Sequence, residues 1–197
     1  MKPITIQTIL DFKKTKQKFA TITAYDFNSA ALIDDCNIPL ILVGDSASMV
    51  VYGYSTTIPV TMDEMLIVLK AVVRGTKKAL VVADMPFLSY QSSRSEAITN
   101  AGTLIKEGGA GAVKLEGGEH ITGHIKSLVN IGIPVVGHVG LTPQSYHQLS
   151  GYSVQGKSPE TAQKILDDAT AVQEAGAFSV VLECIPSKLA EHITNTL

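Results

Sequence analysis

The sequence predicts an α/β fold of repeated β-α units, in which six parallel strands form part of a (βα)8 barrel. Short apolar, β-branched segments predict the strands, and they lie at 19–24, 40–44, 79–84, 112–116, 134–140 and 178–183. Such nearly continuous apolar runs are typical of parallel strands that are covered on both faces. Helical patterns separate the runs, and polar side chains recur where the runs end. This alternation predicts one α/β domain.

The segments between the predicted strands carry helix start and stop signals. A first helix is predicted near residues 5–14, ahead of the first strand. Two capping boxes and one N-cap followed by proline predict later helix starts, at Thr61 with Glu64, at Ser93 with Glu96, and at Ser158 before Pro159. Gly108, Gly109 and Gly176 lie where helices should end before the next strand.

Six strands allow two architectures, an open doubly wound sheet or part of a barrel. A whole (βα)8 barrel needs about 250 residues, whereas this chain has 197 and closes with the helical segment PSKLAEHITNTL. Length alone therefore favours the open sheet. The placement of polar side chains favours the barrel, so we predict a single barrel domain over residues 1–197. This domain would stop after the sixth strand and lack the seventh and eighth βα units.

Polar side chains lie at or just beyond the carboxyl ends of five predicted strands. They are Asp45, Asp84, Glu116, His138 and Glu183. In a barrel all these strand ends meet on one face, where barrel enzymes carry out their chemistry. The two-residue period of a strand also places Lys114 and Glu116 on the same side. We therefore expect these side chains to point towards the barrel axis.

Carboxylates gathered at one barrel mouth would repel each other and lose hydration unless a cation were bound. Asp45, Asp84 and Glu116 supply oxygen ligands, which favour a hard ion such as Mg²⁺. Each residue alone also has a structural explanation. An aspartate after a strand can cap a loop, His138 can be a core histidine, and Glu183 can cap the next helix. Their convergence favours a metal site.

Composition excludes several classes of partner. The net charge is −2, which provides no electrostatic basis for binding nucleic acid or an anionic membrane. No apolar run approaches the roughly 18 residues that span a bilayer, and the first residues lack the apolar core of a signal peptide. Cys36 and Cys184 indicate reduced thiols rather than a disulfide framework. The sequence predicts a cytoplasmic protein with small-molecule substrates.

Eight short segments occur in an order and spacing typical of one enzyme family. They are TAYD (23–26), GDS (44–46), PVT (59–61), ADMPF (83–87), VKLEGG (113–118), GHVGLTPQS (137–145), GYSVQG (151–156) and LECIP (182–186). With them the chain resembles the 3-methyl-2-oxobutanoate (ketopantoate) hydroxymethyltransferase family along its whole length. The resemblance implies a barrel of the phosphoenolpyruvate/pyruvate type that assembles as a cytoplasmic homodecamer. It also implies hydroxymethyl transfer from 5,10-methylenetetrahydrofolate, the co-substrate, to 3-methyl-2-oxobutanoate, which gives 2-dehydropantoate in pantothenate biosynthesis.

The resemblance also implies roles for individual residues. Asp45 and Asp84 match metal-binding aspartates, and Glu116 matches a third metal-associated carboxylate, for Mg²⁺ or a related divalent ion. Glu183 matches the proton acceptor, which would remove the C3 proton to form a metal-stabilised enolate. The positions that match substrate-binding residues are Asp45, Ser46, Asp84, Lys114 and His138.

Two alternatives stay open. Members of the family continue with a seventh strand that carries a Gly-Ile-Gly-Ala-Gly-type segment, and this chain stops before it. The chain could therefore be a non-catalytic, truncated assembly or regulatory subunit. The second alternative is another metal-dependent enzyme of the same fold that acts on C–C bonds of 2-oxo acids. A test of folate dependence separates it from the transferase.

Overall fold

The computed structural model describes residues 3–149 and 151–197. The chain divides into two compact units, and the boundary lies between Val113 and Lys114, inside a strand. Strands and helices alternate in each unit, in the order that the sequence predicts. None of the helices in the described residues is long and apolar enough to cross a membrane.

The first unit contains the first three strands and the start of the fourth. Its elements are α1 (Ile6–Lys14), β1 (Thr21–Thr23), α2 (Phe27–Asp35), β2 (Leu40–Val43), α3 (Ala47–Val50), α4 (Met62–Gly75), β3 (Leu80–Asp84), α5 (Arg94–Lys106) and the beginning of β4 (Ala112–Glu116). Strand β2 pairs in parallel with both β1 and β3. The N–H of Gly111 donates to the carbonyl of Val81, which starts β4 beside β3. Helix α4 packs on α2, α5, β2 and β3.

The second unit contains the end of β4 and two further strands. Its elements are a 3₁₀ turn (Glu119–Ile121), α6 (Thr122–Asn130), β5 (Val135–Gly140), a second 3₁₀ turn (Pro143–Ser145), α7 (Tyr146–Leu149), α8 (Pro159–Glu174), β6 (Ser179–Glu183) and α9 (Ser187–Thr196). Strands β5 and β6 are parallel, with His138 in register with Val181. Helix α8 packs against both strands. Ser158 caps α8 and Pro159 opens it, which confirms the predicted start.

The predicted capping boxes differ in outcome. At α4 the box is complete, because Thr61 and Glu64 each accept a hydrogen bond from the backbone N–H of the other. At α5 the hydroxyl of Ser93 accepts from the N–H of Glu96, so the N-cap is confirmed. The carboxylate of Glu96, however, accepts a hydrogen bond from the hydroxyl of Ser92. The Ser92 hydroxyl is thus a competing donor to this carboxylate, and the reciprocal half of the second box is wrong.

Burial follows the position of each strand. The residues of β3 and β4 are all buried, as predicted for strands covered on both faces. The three residues of β1 are exposed and those of β6 are half-buried. The prediction of a buried strand is therefore wrong for these two. Each lies at an end of the strand order, so it is covered by fewer neighbours than an inner strand.

Asp34, near the end of α2, fixes the chain where it enters β3. Its buried carboxylate accepts hydrogen bonds from the N–H groups of Lys77 (3.1 Å), Lys78 (2.9 Å) and Ala79 (2.8 Å). Burial raises the pKa of Asp34, but the three backbone hydrogen bonds and the charge of Lys78 outweigh burial and hold the pKa below its usual value. The donors are at least 43 residues away in sequence, so local patterns did not reveal this contact.

We expect Asp34→Ala to lower the free energy of unfolding by about 3 kcal/mol near neutral pH, because three N–H groups lose a charged acceptor. The folded pKa lies below the unfolded one, so this stabilisation is complete above the unfolded pKa and is lost as pH falls through the folded pKa. The difference between wild type and variant should therefore shrink in acid. Urea unfolding across that range measures it, with exposed Asp35→Ala as the control. A difference that is constant with pH would contradict the role of the ionised carboxylate.

Candidate active site

In the first unit, two predicted ligands lie together at the carboxyl ends of β2 and β3. Val43 is in register with Ala83, so the residues that follow Val43 lie beside the end of β3. The N–H of Asp45 donates to Oδ2 of Asp84 at 3.2 Å. The exposed fractions of these residues are 4% and 2%, so both carboxylates are buried. The structure thus brings Asp45 and Asp84 together, as expected for neighbouring parallel strands.

Ser46 follows Asp45 directly, and its hydroxyl is held by a distant tyrosine. The oxygens of Ser46 and Tyr25 share a hydrogen bond of 2.7 Å. A Cβ added to Gly44 would lie 2.8 Å from Oγ of Ser46 and 3.8 Å from Oδ2 of Asp84, so glycine leaves room for both groups. Tyr25 received no role from the sequence, although it lies in the TAYD segment. Tyr25 and Ser46 are 21 residues apart in sequence, so only the folded chain brings them into contact.

The Asp45–Asp84 pair suits a hard divalent cation. Mg²⁺ is commonly held by one or two carboxylates, and it keeps several waters. In general, carboxylates that lie close together repel each other unless a cation is bound. Among residues 3–149 and 151–197, no group of three His, Cys, Asp or Glu side chains has an arrangement that could hold a metal ion. The metal-ligand roles of Asp45, Asp84 and Glu116 stay predictions.

In the second unit, β4 ends in a buried pair of opposite charges. Lys114 and Glu116 are 3% and 5% exposed, and Nζ lies 3.9 Å from Oε1. The two side chains are therefore on the same face of β4, as the two-residue period predicts. The other oxygen of Glu116, Oε2, accepts a hydrogen bond of 2.9 Å from the N–H of Gln144. Glu116 thus links Lys114 to the 3₁₀ turn that follows β5, a link that the sequence did not predict.

His138 lies between the cationic and anionic groups of the second unit. Its Nδ1 is 2.9 Å from Nζ of Lys114 and 3.5 Å from Oε1 of Glu116. On the other side of the ring, Nε2 is 3.2 Å from Oε2 of Glu183. His138 is in register with Val181, two residues before Glu183, so both side chains lie on the same face of β5 and β6. The structure brings all four predicted residues of this unit together.

The environment of Glu183 lowers its pKa. Burial raises the pKa of this carboxyl, but the interaction with His138, whose Nε2 lies 3.2 Å away, outweighs burial together with the charge of Lys114. The net result is a pKa below the usual glutamate value, so Glu183 is ionised at neutral pH. The side chain is 39% exposed and lies beside basic groups, which favours its ionised form.

Two glycines after Glu116 let the chain turn from β4 into the first 3₁₀ turn. Gly117 has a φ of +131° and its N–H donates to the carbonyl of His138 at 3.0 Å. A Cβ on Gly118 would lie 1.9 Å from Oδ1 of Asp168, an atom that also accepts a hydrogen bond from the N–H of Glu119. Asp168 of α8 therefore holds the chain directly after the Lys114–Glu116 pair, and only the tertiary structure shows this.

The fold and these strand-end clusters define the class of protein. The chain is similar in structure to 2,3-dimethylmalate lyase, described as a PEP mutase/isocitrate lyase superfamily member. The TM-score is 0.69 and the identity 16%, over 100% of this chain and 68% of that one. This likeness confirms the predicted fold class, a (βα) barrel, of which the chain contains six strands.

Sequence comparison identifies the family within that class. Residues 3–197 match the sequence profile of ketopantoate hydroxymethyltransferase. The chain is 55% identical to 3-methyl-2-oxobutanoate hydroxymethyltransferase from Carboxydothermus hydrogenoformans, over 100% of this chain and 71% of that protein. It is also 55% identical to the enzyme of that name from Geobacter metallireducens, over 97% of this chain and 73% of that protein. The chain belongs to the ketopantoate hydroxymethyltransferase family, which confirms the resemblance of the eight segments.

Proposed function

We propose that this chain transfers a hydroxymethyl group from 5,10-methylenetetrahydrofolate to 3-methyl-2-oxobutanoate, giving 2-dehydropantoate in pantothenate biosynthesis. The observation that carries the proposal is 55% identity, over all 197 residues, to a protein with that activity in its name. The chemistry of the site residues agrees with it. A 2-oxo acid is an anion with two adjacent oxygen functions. The second unit offers a buried ammonium group, Lys114, and an ionised carboxylate, Glu183, on opposite sides of the His138 ring.

Substrate binding is assigned to residues of both clusters. The ammonium of Lys114 attracts the anionic substrate, and the hydroxyl of Ser46 donates a hydrogen bond to one of its oxygens. Tyr25 shares a hydrogen bond with Ser46, so it limits the directions in which the serine hydroxyl can point. Asp45, Asp84 and His138 are the other proposed substrate contacts, the two aspartates through a bound cation.

The acidic pair of the first unit is the proposed cation site. Asp45 and Asp84 would hold Mg²⁺ or a related divalent ion, with Glu116 as the proposed third carboxylate. When bound, such an ion supplies a Lewis acid that stabilises negative charge on the substrate's oxo oxygen. The buried position of both aspartates keeps this charge interaction strong, because bulk water does not screen it.

Glu183 is the proposed base. It accepts the proton from C3 of 3-methyl-2-oxobutanoate, and the electron pair of the C–H bond forms the enolate. The lowered pKa of Glu183 makes it a weak base, so proton transfer requires strong stabilisation of the enolate. Lys114 provides part of this stabilisation as a fixed positive charge near the oxo oxygen. The enolate carbon then bonds to the methylene carbon that the folate delivers. Both C–N bonds of that methylene break, water supplies the hydroxyl oxygen, and tetrahydrofolate leaves with 2-dehydropantoate as the other product.

An assay of the 197-residue protein tests the reaction. The protein is incubated with 3-methyl-2-oxobutanoate and Mg²⁺, with and without 5,10-methylenetetrahydrofolate, and products are identified by mass spectrometry. We expect 2-dehydropantoate when both substrates are present and no product without the folate. Cleavage of the 2-oxo acid without folate would favour the lyase-type alternative. Absence of any turnover would contradict the proposal and favour a non-catalytic subunit.

By its family, the chain is expected to form a homodecamer in the cytoplasm. Sedimentation velocity of the purified protein measures the mass of the assembly directly, and a stable monomer would contradict this part of the proposal without affecting the assignment of the reaction.

A further inference from the structure

The turn after β3 has an inverted distribution of polar and apolar side chains. Its apolar residues Phe87 and Leu88 are 38% and 58% exposed, whereas Ser89 is 4% exposed. Met85 and Tyr90, on either side of these three residues, are fully buried. Large apolar side chains are usually buried and serines are usually exposed, so an exposed apolar pair beside a buried serine needs an explanation.

Hydrogen bonds hold the turn in this conformation. The N–H and the hydroxyl of Ser89 both donate to the carbonyl of Pro86, at 3.1 and 2.7 Å. The side chain of Asn100, on α5, donates to the carbonyl of Ser89 at 2.6 Å. Leu88 has a φ of +66°, a left-handed conformation that residues other than glycine rarely adopt. Strain of this kind is concentrated at binding and catalytic sites, so the turn is a candidate binding element.

The exposed pair lies close to the proposed cation site of the same unit. Phe87 is three residues after Asp84, and three residues of extended chain span at most about 11 Å. Asp84 in turn accepts a hydrogen bond from Asp45. The pair therefore borders the place where 3-methyl-2-oxobutanoate is proposed to react. A second substrate, with a fused ring system and an aromatic ring, has to bring its methylene carbon to the same place.

A cation lies further along the helix that holds the turn. Arg94 is the first residue of α5 and is exposed. It forms no ion pair with a carboxylate in the described ranges, 3–149 and 151–197. Asn100, which binds the turn, is six residues later, or about 9 Å along the helix axis. Apolar side chains and a cation at this spacing suit a folate, which has apolar rings at one end and carboxylates at the other.

We infer that Phe87 and Leu88 contact the rings of 5,10-methylenetetrahydrofolate and determine the affinity for this co-substrate. This inference rests on the proposed function. Contact with the rings removes apolar surface of both partners from water. The turn is already held by hydrogen bonds, so little conformational entropy is lost when the folate binds. The pair does not contact the 2-oxo acid, so it affects the binding of one substrate only.

Two variants test this role. Phe87→Ala removes the aromatic ring, and Leu88→Gly removes the side chain while relieving the positive φ, so the second variant should not weaken the fold. We expect each variant to raise the KM for 5,10-methylenetetrahydrofolate about 10-fold, the effect of losing one apolar contact surface. C3 hydrogen–deuterium exchange without the folate should keep its wild-type rate, because proton removal precedes the folate step. Ile67→Ala, at an exposed apolar residue of α4, is the matched control and should leave this KM unchanged.

Three results would overturn the inference. They are an unchanged KM in both variants, a loss of C3 exchange as large as the loss of turnover, and a change in the sedimentation coefficient. The second result would place the pair at the 2-oxo acid, and the third would place it at a subunit interface. If the wild type shows no turnover, the proposed function fails, and calorimetric titration with tetrahydrofolate still decides the inference. Weaker binding by Phe87→Ala than by the wild type would support it, whereas equal binding, or no binding by the wild type, would overturn it.

Discussion

Glu183→Gln is expected to slow exchange of the C3 hydrogen of 3-methyl-2-oxobutanoate by about 1,000-fold or more, the range for loss of a general base. Glutamine has nearly the same shape but cannot accept the proton. Binding of the 2-oxo acid should persist, because Lys114 keeps its charge and its contact with His138. The exchange rate is measured by proton NMR in deuterium oxide, and binding by calorimetry.

Glu191→Gln is the matched control for this experiment. Glu191 is an exposed residue of α9 in the same unit, so the substitution removes the same charge away from the cluster. The control should exchange at the wild-type rate. Exchange that persists in Glu183→Gln would assign the base to another residue.

Asp84→Ala is expected to weaken binding of Mg²⁺ by at least about 100-fold, given that loss of a supporting residue alone costs about 10- to 100-fold. The substitution removes one of two buried carboxylates and also the acceptor of the Asp45 N–H. Asp84→Asn separates these effects, because the amide oxygen can still accept that hydrogen bond while the charge is gone. Calorimetric titration of the protein with Mg²⁺ alone gives the affinity without any need for turnover.

Two further variants define the cation site. Asp63→Asn removes the charge of an exposed aspartate in the same unit, so Mg²⁺ affinity should not change. Glu116→Gln tests the proposed third ligand, and a loss as large as that of Asp84→Ala would support it. An Mg²⁺ titration that is unchanged by Asp84→Ala would contradict the ligand role of the aspartate pair.

The positions of strands and helices follow from local sequence. Segments such as AVKLE are apolar and β-branched enough to predict a strand, and β4 has the predicted bounds. The N-cap residues Thr61 and Ser158 mark helix starts because their side chains bond to N–H groups three residues later. These features depend on neighbours along the chain, so one sequence is sufficient to predict them. The strand-end polar residues were predictable for the same reason.

Other features depend on contacts between residues far apart in sequence. Three hydrogen-bonded contacts form only after the strands are placed side by side. They join Asp34 to the backbone N–H groups that donate to it, Tyr25 to Ser46, and Glu116 to Gln144. The lowered pKa of Glu183 has the same origin. The direction of the pKa shift depends on whether burial or the neighbouring His138 and Lys114 has the larger effect. The distances from Glu183 to these residues are set by the tertiary structure.

The sequence by itself determined the family, the order of strands and helices, and which polar residues end each strand. These properties are written in short motifs and in the two-residue and 3.6-residue periods of local structure. The tertiary structure decided which hydrogen-bond donors meet which acceptors and how deeply each strand is buried. It also decided whether the pKa of the proposed base, Glu183, is raised or lowered. Hydrogen bonds and charge interactions act over a few ångströms through space, and only the folded chain sets those distances.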